Sequence, residues 1–158
     1  MKKLFAIIVV SLISVASFAQ SGKSVYNKYS EAKNVSAVYI SPAMFKMMGK
    51  LPDMNVADDN VNLSAIVKAL SGMYIINSGN VNINSNIKED VEKMVRKGTY
   101  ELIMEAKDDG EIVKMYTQGD EKIVTSFVLL TYEEEDCTFI CFDGQIPREA
   151  LEEAINNN

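Results

Sequence analysis

Between residues 100 and 142 the chain runs through four apolar segments separated by turn-forming pairs, and that spacing leaves few ways to fold. Segment 100–106 alternates in polarity, Asp109-Gly110 is a strong hairpin signal, and 112–117 returns. Gly119-Asp120 then turns the chain again, 123–132 is a long apolar strand, and 137–142 pairs back. Turns this short join antiparallel neighbours, because parallel strands need a long crossover. A four-strand antiparallel meander is therefore expected. In its first strand Glu101, Glu105 and Lys107 should share a solvated face, opposite Tyr100, Leu102, Met104 and Ala106. The strand 123–132 is apolar on both sides, with Ile123, Phe127 and Leu129 on one and Val124, Val128, Leu130 and Tyr132 on the other. Its second face requires a cover, either from the N-terminal half or from a partner molecule.

Upstream, the periodicity changes. Ser24 caps a short helix with Val25, Tyr29 and Ala32 near one face, Asn34 ends it, and 35–40 reads as a strand. Pro42 suits the first turn of a helix carrying Met44, Met47, Met48 and Leu51. The Asp- and Asn-rich stretch 52–62 is the expected flexible connection. Asn62 caps a helix with Leu63, Ile66, Val67 and Leu70 at i, i+3, i+4 and i+7, stopped by Gly72. A strand at 73–76, a turn at 77–79 and a short edge strand through Val81 and Ile83 follow. The clearest helix starts at Asn86, where Glu89 completes a capping box, carries Ile87, Val91, Met94 and Val95, and closes at Gly98. Pro147 opens a last helix with Leu151, Ala154 and Ile155 inward, and 156–158 is a frayed polar end. The fold class is α+β, mainly an antiparallel sheet with helices packed on one face.

The first nineteen residues belong to none of these elements. Lys2 and Lys3, an apolar run from Leu4 to Val15, and small residues at Ser17 and Ala19 have the layout of an export signal cleaved between Ala19 and Gln20. The run is shorter than the ~20 residues of a bilayer crossing, and no later segment supplies one. Cysteine-linked lipid attachment is disfavoured, since Cys137 and Cys141 lie far from the cleavage point. The expectation is a periplasmic or secreted single domain over residues 20–158. Loss of Lys2 and Lys3 changes 16 basic against 22 acidic side chains to 14 against 22, a net charge of −8. Nucleic acid and anionic lipid are poor partners for such a chain, because both demand a positive surface.

No histidine occurs in the sequence, which excludes Ser-His-Asp and Cys-His catalysis and the usual general base near neutral pH. Ser30 and Lys33 have the spacing of a serine-lysine acyl transferase but lack its companion motifs. Gly22-Lys23-Ser24 lacks the glycine five positions earlier that a phosphate loop needs, that position being Ser17. The stretches 53–62 and 80–86 resemble calcium loops only until the glycine and glutamate positions are checked. On one strand, Cys137 and Cys141 lie about 13 Å apart at ~3.3 Å per residue, too far for a disulfide, and read as buried small hydrophobes. No metal, cofactor or catalytic residue is assigned. The Met44, Met47 and Met48 run reads first as a core face and second as a partner-binding groove. Glu133, Glu134, Glu135 and Asp136 read as a solvated turn.

Several stretches together resemble the secreted Bacteroidetes proteins grouped as domain-of-unknown-function family 4252. They are Val38-Tyr39-Ile40-Ser41-Pro42-Ala43-Met44-Phe45, the Tyr100-Glu101-Leu102-Ile103 strand with its Asp109-Gly110 hairpin, Ile123-Val124-Thr125-Ser126-Phe127-Val128, and Phe142-Asp143-Gly144-Gln145-Ile146. The resemblance implies an exported single domain and carries no activity or catalytic residues. The leading expectation is a non-enzymatic exported domain that binds an envelope protein through Met44, Met47, Met48, Val124, Val128, Leu130 and Tyr132. The alternative is a small-molecule or lipid carrier, with a pocket between the sheet and the helices at 63–70 and 87–97. An enzyme using carboxylates, tyrosines and lysines stands third.

Overall fold

Six strands form one sheet in the order β1-β2-β6-β5-β4-β3, with every neighbouring pair antiparallel. The computed structural model describes residues 21–48 and 63–156. Its elements are α1 (Gly22–Tyr29), β1 (Val35–Ile40), α2 (Pro42–Met48), α3 (Leu63–Ala69), β2 (Leu70–Ser78), α4 (Val81–Lys97), β3 (Glu101–Asp108), β4 (Glu111–Gly119), β5 (Ile123–Tyr132), β6 (Cys137–Pro147) and α5 (Arg148–Asn156). Strands β3 to β6 are the expected meander. Asp109 at φ 39° and Gly110 at φ 96° form its first turn, and β2 and β1 extend it past β6.

Helices α1 and α4 cover one face. The α4 stripe Ile87, Val91 and Met94 is wholly buried, and with Val25 and Tyr29 of α1 it packs on Ile76, Val128, Leu130, Phe139 and Cys141 of the sheet. Each such side chain contributes about 1.5–3 kcal/mol by leaving water. Asp90, buried in α4, ties the helices together: Lys28 Nζ lies 2.5 Å from its Oδ2, and the Tyr29 hydroxyl donates to the same oxygen at 2.6 Å. Tyr26, Tyr39 and Tyr74 continue this layer, the rings of Tyr39 and Tyr74 stacking at 5.1 Å. The remaining helices gather on the central strands, α2 on β2 and both α3 and α5 on β6, with α3 touching α2 and α5. Phe45 is the buried anchor of α2.

Several elements differ from the sequence reading. Val81 and Ile83 begin α4 and are not an edge strand. Asn80 is the cap in place of Asn86, its Oδ1 accepting from Asn82 N at 3.1 Å while its Nδ2 donates to Lys33 O at 2.9 Å. Ile83, four residues before Ile87, extends the helical stripe. The strand expected from residue 73 starts at Leu70, so α3 stops at Ala69, and Gly72 is buried within β2 and ends no helix. Strand β6 runs on to Pro147, so α5 begins one residue later than expected. A Cβ at Gly144 in β6 would strike the Ala69 carbonyl and Leu70 Cα, which explains a glycine at this corner.

Strand β3 departs furthest. Its register shifts between Leu102 and Met104, so Ile103 is an extra residue. Glu101 therefore shares a face with Met104 and Ala106, while Leu102 shares the other with Glu105 and Lys107. As the outermost strand it is exposed along all eight residues. The expected leader, Leu51, the connection at 52–62, the Asn62 cap, the tail at 157–158 and the side chains of Leu63, Ala154 and Ile155 lie outside the described residues.

Candidate functional site

The face of the sheet turned away from α1 and α4 is apolar as well. Register places Val38, Ile75, Ile140, Leu129, Met115 and Met104 in a single row crossing all six strands. Five spacings of ~4.8 Å make that row about 24 Å long. Its ends are open, Val38 at 47% and Met104 at 40% exposure, and the four residues between are half-buried. Toward one end of the strands lies a second row of Ile40, Met73, Phe142, Phe127, Thr117 and Glu101, where Phe127 stacks on Phe142 at 5.6 Å. Toward the other end a third row begins Ser36, Asn77, Thr138 and Thr131, with Asn77 Nδ2 donating to Thr138 Oγ1 at 3.1 Å. Val113 and Ala106 complete it. Across the three rows Glu101 is the one charged side chain. Thr117 Oγ1 is buried without a hydrogen-bond partner among the described residues.

The residues singled out in the sequence divide between surface and core. Met44 and Met47 are exposed on α2, Met47 at 67%, and Met48 is half-buried. Val124, Val128 and Leu130 have no accessible surface, so they offer nothing to a partner. Tyr132 is half-buried with Lys88 Nζ 4.8 Å from its ring centre. The accessible side of β5 is the opposite one, through Leu129. Strand alternation signalled that side, but its pairing with Ile140 and Met115 required the strand order.

A polar chain runs through the other face near the β6 corner. The Tyr100 hydroxyl bonds Ser126 Oγ at 2.9 Å, Ser126 Oγ lies 3.6 Å from Cys141 Sγ, and Cys141 Sγ donates to Asp143 Oδ1 at 3.7 Å. Burial pushes Tyr100 up to about 12 and raises both the Cys141 thiol and the Asp143 carboxyl. These groups are held in their neutral forms more firmly than in water, which suits structure better than nucleophilic chemistry. Cys137, pushed up to about 12 by burial, is likewise a free, buried thiol. Among the described residues no three His, Cys, Asp or Glu side chains are grouped to hold a metal ion. The calcium-loop lookalike at 80–86 is the start of α4, and 53–62 lies outside the described residues.

Where α4 ends, Glu92, Arg96, Tyr100, Leu102, Lys114 and Tyr116 line an open groove of about 290 Å³. Of these, Lys114 pairs with Glu92 at 2.9 Å and also with Glu105 of β3 at 3.5 Å. Under the middle of α4 the packing is closed, with Ile87, Val91 and Met94 fully buried. Among the described residues no helix is long and apolar enough to cross a membrane.

A family model for a domain of unknown function, DUF4252, matches residues 29–154. The chain belongs to that family. The DUF4252 match runs from the end of α1 into α5, so the sheet, both its faces and the α4 groove are parts of the family domain. No curated protein and no solved structure matches the chain.

Proposed function

We propose that this DUF4252 protein is an exported, non-enzymatic interaction domain that holds an envelope or secreted protein partner on its open sheet face. The leader layout of residues 1–19 supports export and a mature domain from Gln20, and the likeness to secreted Bacteroidetes proteins agrees with that address. The observation that carries the reading is the uncharged row from Val38 to Met104. Apolar rows on a sheet are normally buried against another layer, and exposed contiguous apolar surface of a few hundred Å² marks an interaction site. The exposed Met44 and Met47 add adaptable surface on α2, which packs on β2.

The test is crosslinking and affinity purification of the tagged protein from its host, beside a variant carrying Val38→Arg and Met104→Arg. One reproducible partner that the variant loses is the expected result. An identical set of captured proteins for both, or recovery of the chain alone, overturns the reading. The α4 groove favours a second reading as a carrier of a small amphiphile, with Leu102 and Tyr116 beneath an apolar body and Arg96 beside an anionic head. A co-purified small molecule in native mass spectra, lost on Leu102→Asp substitution, would select it.

A further inference from the structure

The charge around the open face specifies what sits on it. Ile112 pairs with Tyr132, so the β3–β4 and β5–β6 turns lie side by side at the end of the sheet beyond the threonine row. The fold thereby joins two acidic runs that are remote in sequence: Asp108, Asp109 and Glu111 with Glu133, Glu134, Glu135 and Asp136. All seven are exposed, and among the described residues none forms an ion pair. The nearby cations are Lys107, held by Glu105 at 2.8 Å, and Lys88, placed over Tyr132. No metal-holding group exists among the described residues, so the negative charge is spread over a surface and is not focused on an ion. A second copy of this chain would bring the same seven carboxylates and the same net negative charge to the contact.

We infer that the occupant of the open face is a basic polypeptide segment, whose apolar side chains cross the middle of the row over Ile140, Leu129 and Met115 and whose lysines or arginines reach the paired acidic turns. This rests on the interaction reading above and adds the chemistry of the partner. The geometry sets the spacing. Leu129 in the row and Glu133, just past the end of β5, are four residues apart, about 13 Å at ~3.3 Å per residue. An extended partner running along the strands therefore carries its basic cluster about four residues beyond its apolar one. Apolar contact supplies the affinity, and the turns supply selection and a faster encounter that salt suppresses.

The experiment is an NMR and calorimetric titration of the mature chain with three synthetic peptides. The first has alternating Leu and Ser followed by four Lys, the second has Glu in place of Lys, and the third is oligolysine. The expected result is tightest binding of the first peptide, with shifts at Leu129, Ile140, Met115 and the turns, weakened at least tenfold between 50 and 500 mM salt. A variant with Glu133→Lys, Glu134→Lys and Glu135→Lys should lose tenfold or more while keeping its unfolding midpoint. The substitution Met115→Ser, at the half-buried middle of the row, should weaken binding, with the unfolding midpoint measured alongside to separate loss of contact from loss of fold. Equal binding of the Glu peptide at the row overturns the basic partner and leaves an interaction face standing. Oligolysine binding as tightly as the first peptide overturns the role of the row. Self-association through Leu129 assigns the face to a second copy and overturns the inference, and a monomer that none of the peptides shifts overturns both this inference and the interaction reading.

Discussion

Asp90 and Asp143 both leave water as the protein folds, yet the fold moves their acidities in opposite directions. Burial disfavours both charges. At Asp90 it is outweighed by hydrogen bonds from Lys28 and Tyr29, and the pKa lies below its ordinary value. At Asp143 burial wins over the contacts of Ser126 and Cys141, and the pKa is raised. Asp90 therefore contributes stability above the unfolded carboxyl value of about 3.8, lost as pH falls through its lower folded value. Asp143 contributes stability below that value, lost as pH rises through its higher folded one. Asp90→Asn should cost about 2 kcal/mol at pH 7, the scale of hydrogen bonds to a charged group, and less at pH 3. Asp143→Asn should be better tolerated at pH 7 than at pH 3. Urea midpoints of the three proteins at both pH values check this, and parallel pH profiles would refute it.

The packing on the two faces of the sheet should respond differently to truncation. Met94→Ala, on the buried side of α4, is expected to cost about 2–5 kcal/mol, because it opens a void in a closed core. Leu129→Ala on the half-buried row should cost less than half as much. Chemical denaturation of each variant measures the ratio, and equal losses would mean that the open face is covered.

The thiols should be silent in the native protein. Cys137 and Cys141 are free and buried, and burial holds both in the protonated form. A disulfide reagent should modify neither within minutes at pH 8, and both within seconds once urea unfolds the chain. Rapid native labelling at either site would show that α4 does not seal the core.

Asn80 joins the start of α4 to the loop that carries Lys33. Asn80→Ala should lower stability by about 1 kcal/mol, and Asn80→Ser should recover part of it through the cap alone. Thermal unfolding of the two variants separates the cap from the link to the Lys33 carbonyl.

The strand order of the C-terminal half was legible because Asp109-Gly110 and Gly119-Asp120 are local signals with one geometric outcome. The stripe of Ile87, Val91 and Met94 was equally plain. Reading Val81 and Ile83 as a strand failed because two alternating residues fit a period of two as well as a helical start. The cap that decides between them depends on Asn80 reaching Lys33, 47 positions away. An apolar strand does not say which side the helices take, so Val128 and Leu130, expected on a partner surface, lie in the core. The row from Val38 to Met104 and the pairing of the acidic turns are products of register between remote strands, so no window of sequence contains them.

The extra residue at Ile103 sets a limit on growth. An outermost strand lying entirely in water offers its unpaired N–H and C=O groups as a template for another strand. At Ile103 the backbone slips by one residue, so an incoming strand in step with Glu101 and Leu102 is out of step from Met104 onward. Alternating charges at Glu105, Lys107 and Asp108 demand a matching sequence on the remainder. Growth across the β3 edge is thereby disfavoured, where a smooth edge would accept another strand in register.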